Sequence, residues 1–317
     1  LLNNMKKNKN VMKNSMLVLM AGLVLVMLAV SGCTSSSEEV HANPTASEAS
    51  VKEITITDGF GRTIAVASPP ESVVCSGSGC LRYLVYMQDQ DRAIGVDSIE
   101  TKDQVMEGRP YALVYGDQFK ELPLIGEFRG KDDPEKIVAI GPQLIFKSGS
   151  TGTAYATSSD DADKLQSKTG IPVVAFPYGS LRDDTEKAEM YGGLRVMGKV
   201  LGKEGRAEEI IAYIDATMAD LERRTATISD SERKTVYIGG VSSAGAHGII
   251  STEPAYPPFL WVHGENVAGG MGVAHADISK EALVDWDPDY IFIDAGTIQM
   301  ESDGAIGELK SDPALTG

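Results

Sequence analysis

The sequence predicts an α/β protein in which two parallel-sheet lobes are joined by a single long helix. Two observations lead to this prediction. Short apolar strands alternate with helical runs on both sides of one amphipathic stretch of about 25 residues, and one sequence unit occurs twice at an offset of 146 residues. Such alternation is typical of parallel sheets covered by helices. The length of 317 residues is sufficient for two compact lobes.

Residues 1–32 have the pattern of a secretory signal peptide. Met5 is followed by four lysines, an uncharged apolar run over residues 16–30, and Ser31-Gly32-Cys33, which is similar to a lipobox. The apolar run is shorter than the about 20 residues that span a bilayer; an uncleaved anchor helix is the alternative. We therefore expect an exported protein, held at the outer face of the cytoplasmic membrane by a lipid on Cys33.

Residues 33–50 are small and polar, which predicts a flexible tether. The formal net charge is −16, and it becomes −20 if cleavage before Cys33 removes the four lysines. Such an acidic chain repels nucleic acid and anionic lipid headgroups, so we expect no nucleic-acid partner and membrane attachment only through the lipid. After the tether, Cys75 and Cys80 remain; a disulfide and two packed free thiols are both open.

An N-terminal lobe is expected over residues 51–201. Residues 53–67 alternate apolar and polar side chains around a glycine-containing turn, which predicts a β-hairpin. Strands with helical runs between them are expected at 72–76, 93–97, 143–147 and 172–176. A further helix is expected from 184 to 201, ending at Gly202.

Residues 202–232 predict the connecting helix. Apolar residues recur there at spacings of three and four, so one face is expected to be buried along about 25 residues, or roughly 37 Å. These residues are Ile210, Ile211, Ile214, Met218, Leu221 and Ile228. An ordinary surface helix of one large domain is the alternative. The strand–helix alternation restarts at 235–240, which favours a second lobe over 233–317. That lobe is expected to be incomplete, without a closing strand and helix.

The repeated unit reads "DPEKIVAIGPQLIFK" at 133–147 and "SKEALVDWDPDYIFID" at 279–294. The offset aligns Glu135 with Glu281 and Pro142 with Pro288. We interpret the two copies as the corresponding element of two pseudo-equivalent lobes.

Taken in order, the motifs resemble those of substrate-binding lipoproteins of ABC importers for iron-siderophore, haem and cobalamin-type ligands. They are the lipobox, "TDGFGRTIAVASPPESVV", "PEKIVAIGPQLIF", the connecting helix, and "NVAGGMG" before the second copy. The resemblance covers everything after Cys33. It implies a ligand cleft between two α/β lobes, delivery to a permease with its ATPase, and a monomer.

The resemblance also implies that one acidic residue on each lobe docks into arginine pockets of the permease, and Glu135 and Glu281 occupy corresponding places for this role. The alternative is that each glutamate only begins a helix, where a negative charge favours the N-terminal dipole.

Ligand-binding residues are expected beyond the carboxyl ends of the strands. Large planar or catecholate-like ligands need aromatic walls and cations. The candidates are Ser78, Arg129, Lys147, Tyr155, Tyr178, His247, Tyr256 and Trp261. His247 could also coordinate the metal of a bound complex. No cofactor is expected, because the dinucleotide-like segment "CSGSGCLRYL" has Arg82 in place of the third glycine.

The leading hypothesis is a binding protein that captures a metal chelate and hands it to an importer, and not an enzyme. A binder of bare divalent metal ions is the first alternative; it is disfavoured because His247, His263 and His275 all lie in the second lobe. An exported α/β enzyme is the second; the sequence has no Gly-x-Ser-x-Gly, His-Glu-x-x-His or Gly-Lys-Ser motif.

Overall fold

The computed structural model describes residues 52–77, 79–103, 107–127, 131–149, 157–242, 247–294 and 304–315. The predicted signal peptide and tether lie outside these ranges, as do Cys33, Ser78, Arg129 and Tyr155. Within the described residues, no helix combines the length and the apolar character needed to cross a membrane.

Thirteen strands are assigned in the described residues: β1 Lys52–Thr57, β2 Thr63–Ser68, β3 Val73–Ser76, β4 Val96–Asp97, β5 Leu124–Glu127, β6 Lys131–Asp132, β7 Leu144–Gly149, β8 Val173–Pro177, β9 Thr235–Gly239, β10 Ser251–Thr252, β11 Glu265–Asn266, β12 Ala276–Asp277 and β13 Tyr290–Ile293. The α-helices in the same ranges are α1 Cys80–Tyr86, α2 Pro110–Lys120, α3 Pro134–Ile140, α4 Ser159–Thr169, α5 Asp184–Leu201, α6 Glu204–Thr225, α7 Pro257–Trp261, α8 Lys280–Trp286 and α9 Ala305–Ser311.

The first two strands form the predicted hairpin, with antiparallel pairing from Lys52–Ser68 to Thr57–Thr63. Asp58 holds its turn, because the carboxylate accepts hydrogen bonds from the backbone N–H groups of Phe60 and Arg62, both at 3.0 Å. The same carboxylate accepts from the N–H of Ala175 in β8 at 3.1 Å. The hairpin is therefore bonded to β8, the edge strand of the neighbouring parallel sheet.

The centre of the N-terminal lobe, residues 52–201, is a parallel sheet in the order β3-β7-β8. All residues of these three strands are buried, as expected for parallel strands covered on both faces. A second sheet, β4-β5-β6, continues beside β3 through a parallel bridge between Val73 and Ala93. The strand–helix alternation of the sequence is confirmed here.

Helix α5 ends at Gly202, which adopts the left-handed conformation (φ 67°), as the sequence predicts. Helix α6 then packs against α5 so closely that a Cβ on Gly198 would lie 2.9 Å from the Cβ of Ala207. The first two turns of α6, including Ile210 and Ile211, are buried in the core of the N-terminal lobe, and Ile214 in the next turn packs against it half-buried.

The prediction of one face buried along about 25 residues is therefore wrong. Ile214, Met218 and Leu221 are half-buried, and Ile228 lies beyond the helix end and is exposed. The reason is that α5 covers only the first part of α6, whereas the later apolar residues border an open groove.

The C-terminal lobe, residues 235–315, contains a second parallel sheet in the order β11-β9-β13 and a small antiparallel pair, β10-β12. The described residues form one compact unit, but none of their strands pairs across the two lobes. The predicted α/β class with parallel sheets is confirmed.

The two copies of the repeated unit adopt the same local structure. Helices α3 and α8 each have seven residues, and in each the side chain of the preceding residue, Asp133 or Ser279, caps the N-terminus. In each copy the helix leads into a strand parallel to the first strand of its parallel sheet, β7 beside β3 and β13 beside β9. The structural equivalence explains why the sequence unit occurs twice.

Candidate ligand-binding cleft

Two adjoining cavities lie against helix α1 and share Arg82 and Tyr86 in their walls. The first, which we name the polar pocket, has a volume of about 300 Å³ and lies in the N-terminal lobe. The second, the apolar groove, has a volume of about 600 Å³ and lies between α6 and Trp261 of the C-terminal lobe. Together they have the size of small-molecule sites in proteins.

Two glycines allow α1 to begin directly at the carboxyl ends of the strands. Gly77 has φ 88°, and a Cβ there would lie 1.8 Å from the carbonyl oxygen of Ser148 in β7. Gly79 has φ 75°, and its Cβ would lie 2.4 Å from the ring of Tyr178. Close backbone packing is therefore what the Gly-x-Gly segment provides, and it brings Arg82 to the cleft.

Arg82 is the central cation of the cleft. Its guanidinium lies over the rings of Tyr178, Tyr83 and Tyr86, with distances of 5.1, 5.4 and 5.8 Å from its carbon to the ring centroids. Such contacts are cation–π interactions. Among the described residues no carboxylate forms an ion pair with Arg82, and its buried Nε donates no hydrogen bond. The charge is thus desolvated but not neutralised.

The polar pocket also contains a second arginine, but that one is paired. Arg109 forms ion pairs of 2.9 Å with Glu100 and 2.8 Å with Glu107. Tyr111 donates a hydrogen bond of 2.7 Å to Glu100. Burial, and secondarily repulsion from Glu100, raises the pKa of Asp97 to about 7. Arg82 therefore supplies the uncompensated positive charge of this pocket.

One face of α6 forms the floor of the apolar groove. Ile210, Tyr213, Ile214 and Met218 recur along it at spacings of three and four. Trp261 faces them from the C-terminal lobe, and its buried Nε1 donates no hydrogen bond within the described residues. The groove thus offers an aromatic and aliphatic surface with one unsatisfied donor.

Two side-chain contacts connect the C-terminal lobe to the rest of the chain near this cleft. His263 Nε2 lies 2.7 Å from the carboxylate of Glu222 on α6, and Arg182 lies 3.7 Å from Glu253. Burial raises the pKa of Glu253 to about 7, although Arg182 opposes the shift. These contacts join the lobes without any shared strand.

The structure brings two of the predicted ligand residues, Tyr178 and Trp261, to the cleft. Trp261 is the last residue of α7, not part of a loop as expected. Tyr256 precedes this helix and packs edge-on against Phe259, at a centroid distance of 4.9 Å. It is therefore part of a small apolar cluster in the C-terminal lobe.

Lys147 has a different place from the one expected. Only 4 % of it is exposed, and its Nζ donates a hydrogen bond of 2.6 Å to Asp132. Ser76 also donates to that carboxylate. This pairing favours a structural role for Lys147 between β7 and β6 over direct contact with a ligand.

His247 lies beside a second histidine. Its Nδ1 is 3.0 Å from Asp277, and its ring meets His275 edge-on at 5.9 Å. His275 in turn lies 2.7 Å from the hydroxyl of Ser251. Across the described ranges there is no cluster of three or more histidine, cysteine or acidic side chains placed to hold a metal ion.

Cys75 and Cys80 are both buried free thiols. Burial raises the pKa of the Cys80 thiol, as does its hydrogen bond with Cys75.

Arg82, Arg109 and Asp97 line the cleft but are not predicted from the sequence as cleft residues. Arg82 was noted only as the replacement of a third glycine, although a cation in the first turn of a helix that follows a buried strand was a usable signal. No local pattern distinguishes Asp97 or Arg109 from other surface charges, because their partners come from other segments.

The comparisons with known proteins agree with this architecture. Residues 73–317 match the family described as periplasmic binding protein. The chain belongs to the periplasmic binding protein family.

A curated relative, an uncharacterised ABC transporter substrate-binding lipoprotein YvrC of Bacillus subtilis, is 20 % identical over 271 residues, which cover 86 % of this chain and 78 % of the relative. Two solved structures have a similar fold. The molybdate-bound MolA of Haemophilus influenzae has a TM-score of 0.61 at 17 % identity, covering 76 % of this chain and 73 % of MolA. The petrobactin-binding protein YclQ of Bacillus subtilis has a TM-score of 0.58 at 17 % identity, covering 82 % and 84 %.

Membership of this family makes the chain an extracytoplasmic substrate-binding component of an ABC importer, whose partners are a permease and an ATPase. Such components are not enzymes, so the prediction of a binding protein is confirmed.

The raised pKa of Asp97 predicts a specific pH dependence of stability. In the unfolded chain this carboxyl ionises near pH 4, whereas burial keeps it protonated in the folded chain up to about pH 7. Between these pH values only the unfolded chain loses this proton. The free energy of unfolding therefore falls as the pH rises. Asp97→Asn removes this cost, and we expect its melting temperature to exceed that of the unmodified chain by on the order of 5 °C at pH 8, and by little at pH 4.5.

The matched control is Asp103→Asn. The exposed Asp103 has its pKa lowered by Lys120, so that substitution should be neutral or slightly destabilising at pH 8. A melting difference for Asp97→Asn that is the same at all pH values would contradict the assignment.

Proposed function

We propose that the chain captures a metal chelate that carries an anionic group, such as an iron–siderophore complex, haem or a corrinoid, and delivers it to its permease. The observation that supports this proposal is Arg82, which forms no ion pair with another described residue and lies at the junction of the polar pocket and the apolar groove. A desolvated guanidinium without a carboxylate partner is costly in the empty site and gains most from an anionic ligand group.

Because the whole chain is acidic, the cation of Arg82 is set apart from the rest of the surface as a place for an anionic ligand. The chain has 45 acidic and 29 basic residues, so its surface repels anions at long range. Asp97 opposes such a ligand less than an ordinary carboxylate would, because its raised pKa keeps it largely neutral below about pH 7. Arg82 is thus the point at which an anion can be held.

The walls of the two cavities support a ligand that also has a large apolar or aromatic surface. Tyr86 and Tyr178 flank Arg82, and Trp261 faces the aliphatic side of α6. Aromatic walls with a few polar groups are typical of sites for such ligands. We propose Tyr178 and Trp261 as contact residues, and the sequence offers Ser78, Arg129 and Tyr155, which lie outside the described residues, as further candidates.

His247 is proposed only as a ligand to the metal of a bound complex, since its Nδ1 already pairs with Asp277. Binding of bare divalent metal ions is not supported by any cluster in the described ranges. A second candidate ligand is an inorganic oxyanion, because Arg82 suits it and MolA, which is described as bound to molybdate, has a similar fold.

We propose that the chain functions at the outer face of the cytoplasmic membrane. We propose that the lipid on Cys33 provides the anchor, because the acidic chain itself is repelled by anionic headgroups. Anchoring of this kind needs more than one acyl chain.

The experiment that tests the proposed ligand class is calorimetric titration with a panel of probes. The panel contains ferric complexes of catecholate, citrate and hydroxamate chelators, haem, cobalamin and molybdate. We expect Arg82→Gln to weaken binding of the preferred anionic probe by about 10- to 100-fold. Arg195→Gln, which removes one exposed positive charge from α5, is the matched control and should change nothing. Equal affinities in both variants, or a preference for probes without an anionic group, would refute the proposed ligand class.

The proposed docking role of Glu135 and Glu281 is tested by charge reversal. Both side chains are exposed, and neither forms an ion pair with another described residue. We expect Glu135→Arg with Glu281→Arg to abolish uptake of the preferred probe by cells and to leave its affinity for the purified chain unchanged.

Asp160→Arg with Glu204→Arg is the matched control, because both are exposed acidic residues in the first turns of helices, α4 and α6. These reversals should preserve uptake. If the glutamate reversals lower ligand affinity as well, the docking assignment is wrong.

A further inference from the structure

Helices α3 and α8 have the same residue at some of their surface positions and different residues at others. Their fourth residues, Ile137 and Leu283, are buried in the cores of the two lobes. The third and sixth residues differ, with Lys136 and Ala139 in α3 against Ala282, which is half-buried, and Asp285 in α8. The second and fifth are identical in the two copies, and they carry glutamate and valine.

The fifth residue of each helix is an apolar side chain at an exposed position. Val138 and Val284 are each 51 % exposed, although the neighbouring aliphatic residue of each helix is buried. Each follows its glutamate by three residues, so the two side chains are neighbours on one helix face. The structure therefore presents the same pair, one carboxylate and one apolar side chain, once on each lobe.

A single exposed valine needs no explanation. Here, however, the same residue occupies the same position of two units whose sixth residues, exposed in both, differ. Packing within the chain does not account for the identity, because the exposed halves of the valines contact solvent. A common external contact does account for it.

We propose that Val138 and Val284 form, with Glu135 and Glu281, two matched contact patches for the permease. Each valine fills an apolar socket beside the cationic group that receives the glutamate. The inference rests on the proposed docking role of the glutamates and adds the apolar half of the contact. The carboxylates, unpaired among the described residues, call for a cationic partner surface, and desolvation by the adjacent valine strengthens that charge pairing.

Photo-crosslinking in cells tests whether these positions face the permease. A photoreactive amino acid is placed at position 138 or 284 of the full chain, and the adducts are identified by mass spectrometry. We expect both positions to link to the same membrane-spanning permease. Positions 113 and 114 on α2, where Leu113 and Val114 are 68 % and 70 % exposed, are the matched controls. Adducts with the permease from the α2 positions and not from 138 and 284 would overturn the proposal.

The contribution of the valines to affinity is measured with the permease–ATPase complex in lipid nanodiscs. Val138→Ser with Val284→Ser should bind this complex at least about tenfold more weakly than the unmodified chain. Leu113→Ser with Val114→Ser should bind as the unmodified chain does. Chelate affinity and melting temperature should be unchanged in both variants, which separates loss of contact from loss of folding.

The outcomes distinguish this inference from the function on which it rests. If the serine variant binds the complex normally while the glutamate reversals do not bind, the valine inference is wrong and the docking role stands. If the glutamate reversals also bind normally, both fail. Chelate capture by the purified chain is an independent measurement and is unaffected by either result.

Discussion

The ligand cleft depends on one desolvated cation that has no carboxylate partner among the described residues. Arg82 is held over three tyrosine rings, and the glycines at 77 and 79 allow the helix that carries it to start at the strand ends. Cation–π contacts stabilise the charge in the empty site without neutralising it. By contrast, Arg109 is paired with two glutamates. The same pocket thus contains a structural arginine and one that remains available to a ligand.

The apolar groove exists because helix α6 is covered only in part. Ile210 and Ile211 belong to the core of the N-terminal lobe, whereas Ile214 and Met218 border the groove opposite Trp261. The lobes share no strand in the described ranges, and α6 together with the pairs His263–Glu222 and Arg182–Glu253 joins them. A continuous helix resists bending, so we expect a small closure around the ligand and a largely preformed cleft.

The sequence predicted the features that depend on local pattern. The alternation of apolar and polar residues predicted the hairpin, and the alternation of strands and helices predicted the parallel strands. Gly202 predicted the end of α5, and the repeat predicted the equivalence of α3 and α8. It did not predict side-chain partners that come from distant segments. Lys147 was expected to contact ligand, but Asp132 of β6 neutralises it. The apolar period of α6 showed an apolar face, but not how far α5 would cover that face.

The most direct test of the central claim uses the two tryptophans of the chain, Trp261 and Trp286. Trp261 faces the apolar groove, whereas Trp286 is half-buried and packs against the core of the C-terminal lobe. The Trp286→Phe variant retains Trp261, and we expect a bound ferric chelate to quench its fluorescence with a stoichiometry of about one. The fluorescence of the Trp261→Phe variant should be nearly unchanged. Arg82→Gln in the Trp286→Phe background should remove the quenching at the same chelate concentration. Quenching that is equal in the two tryptophan variants, or that survives the loss of Arg82, would contradict the account.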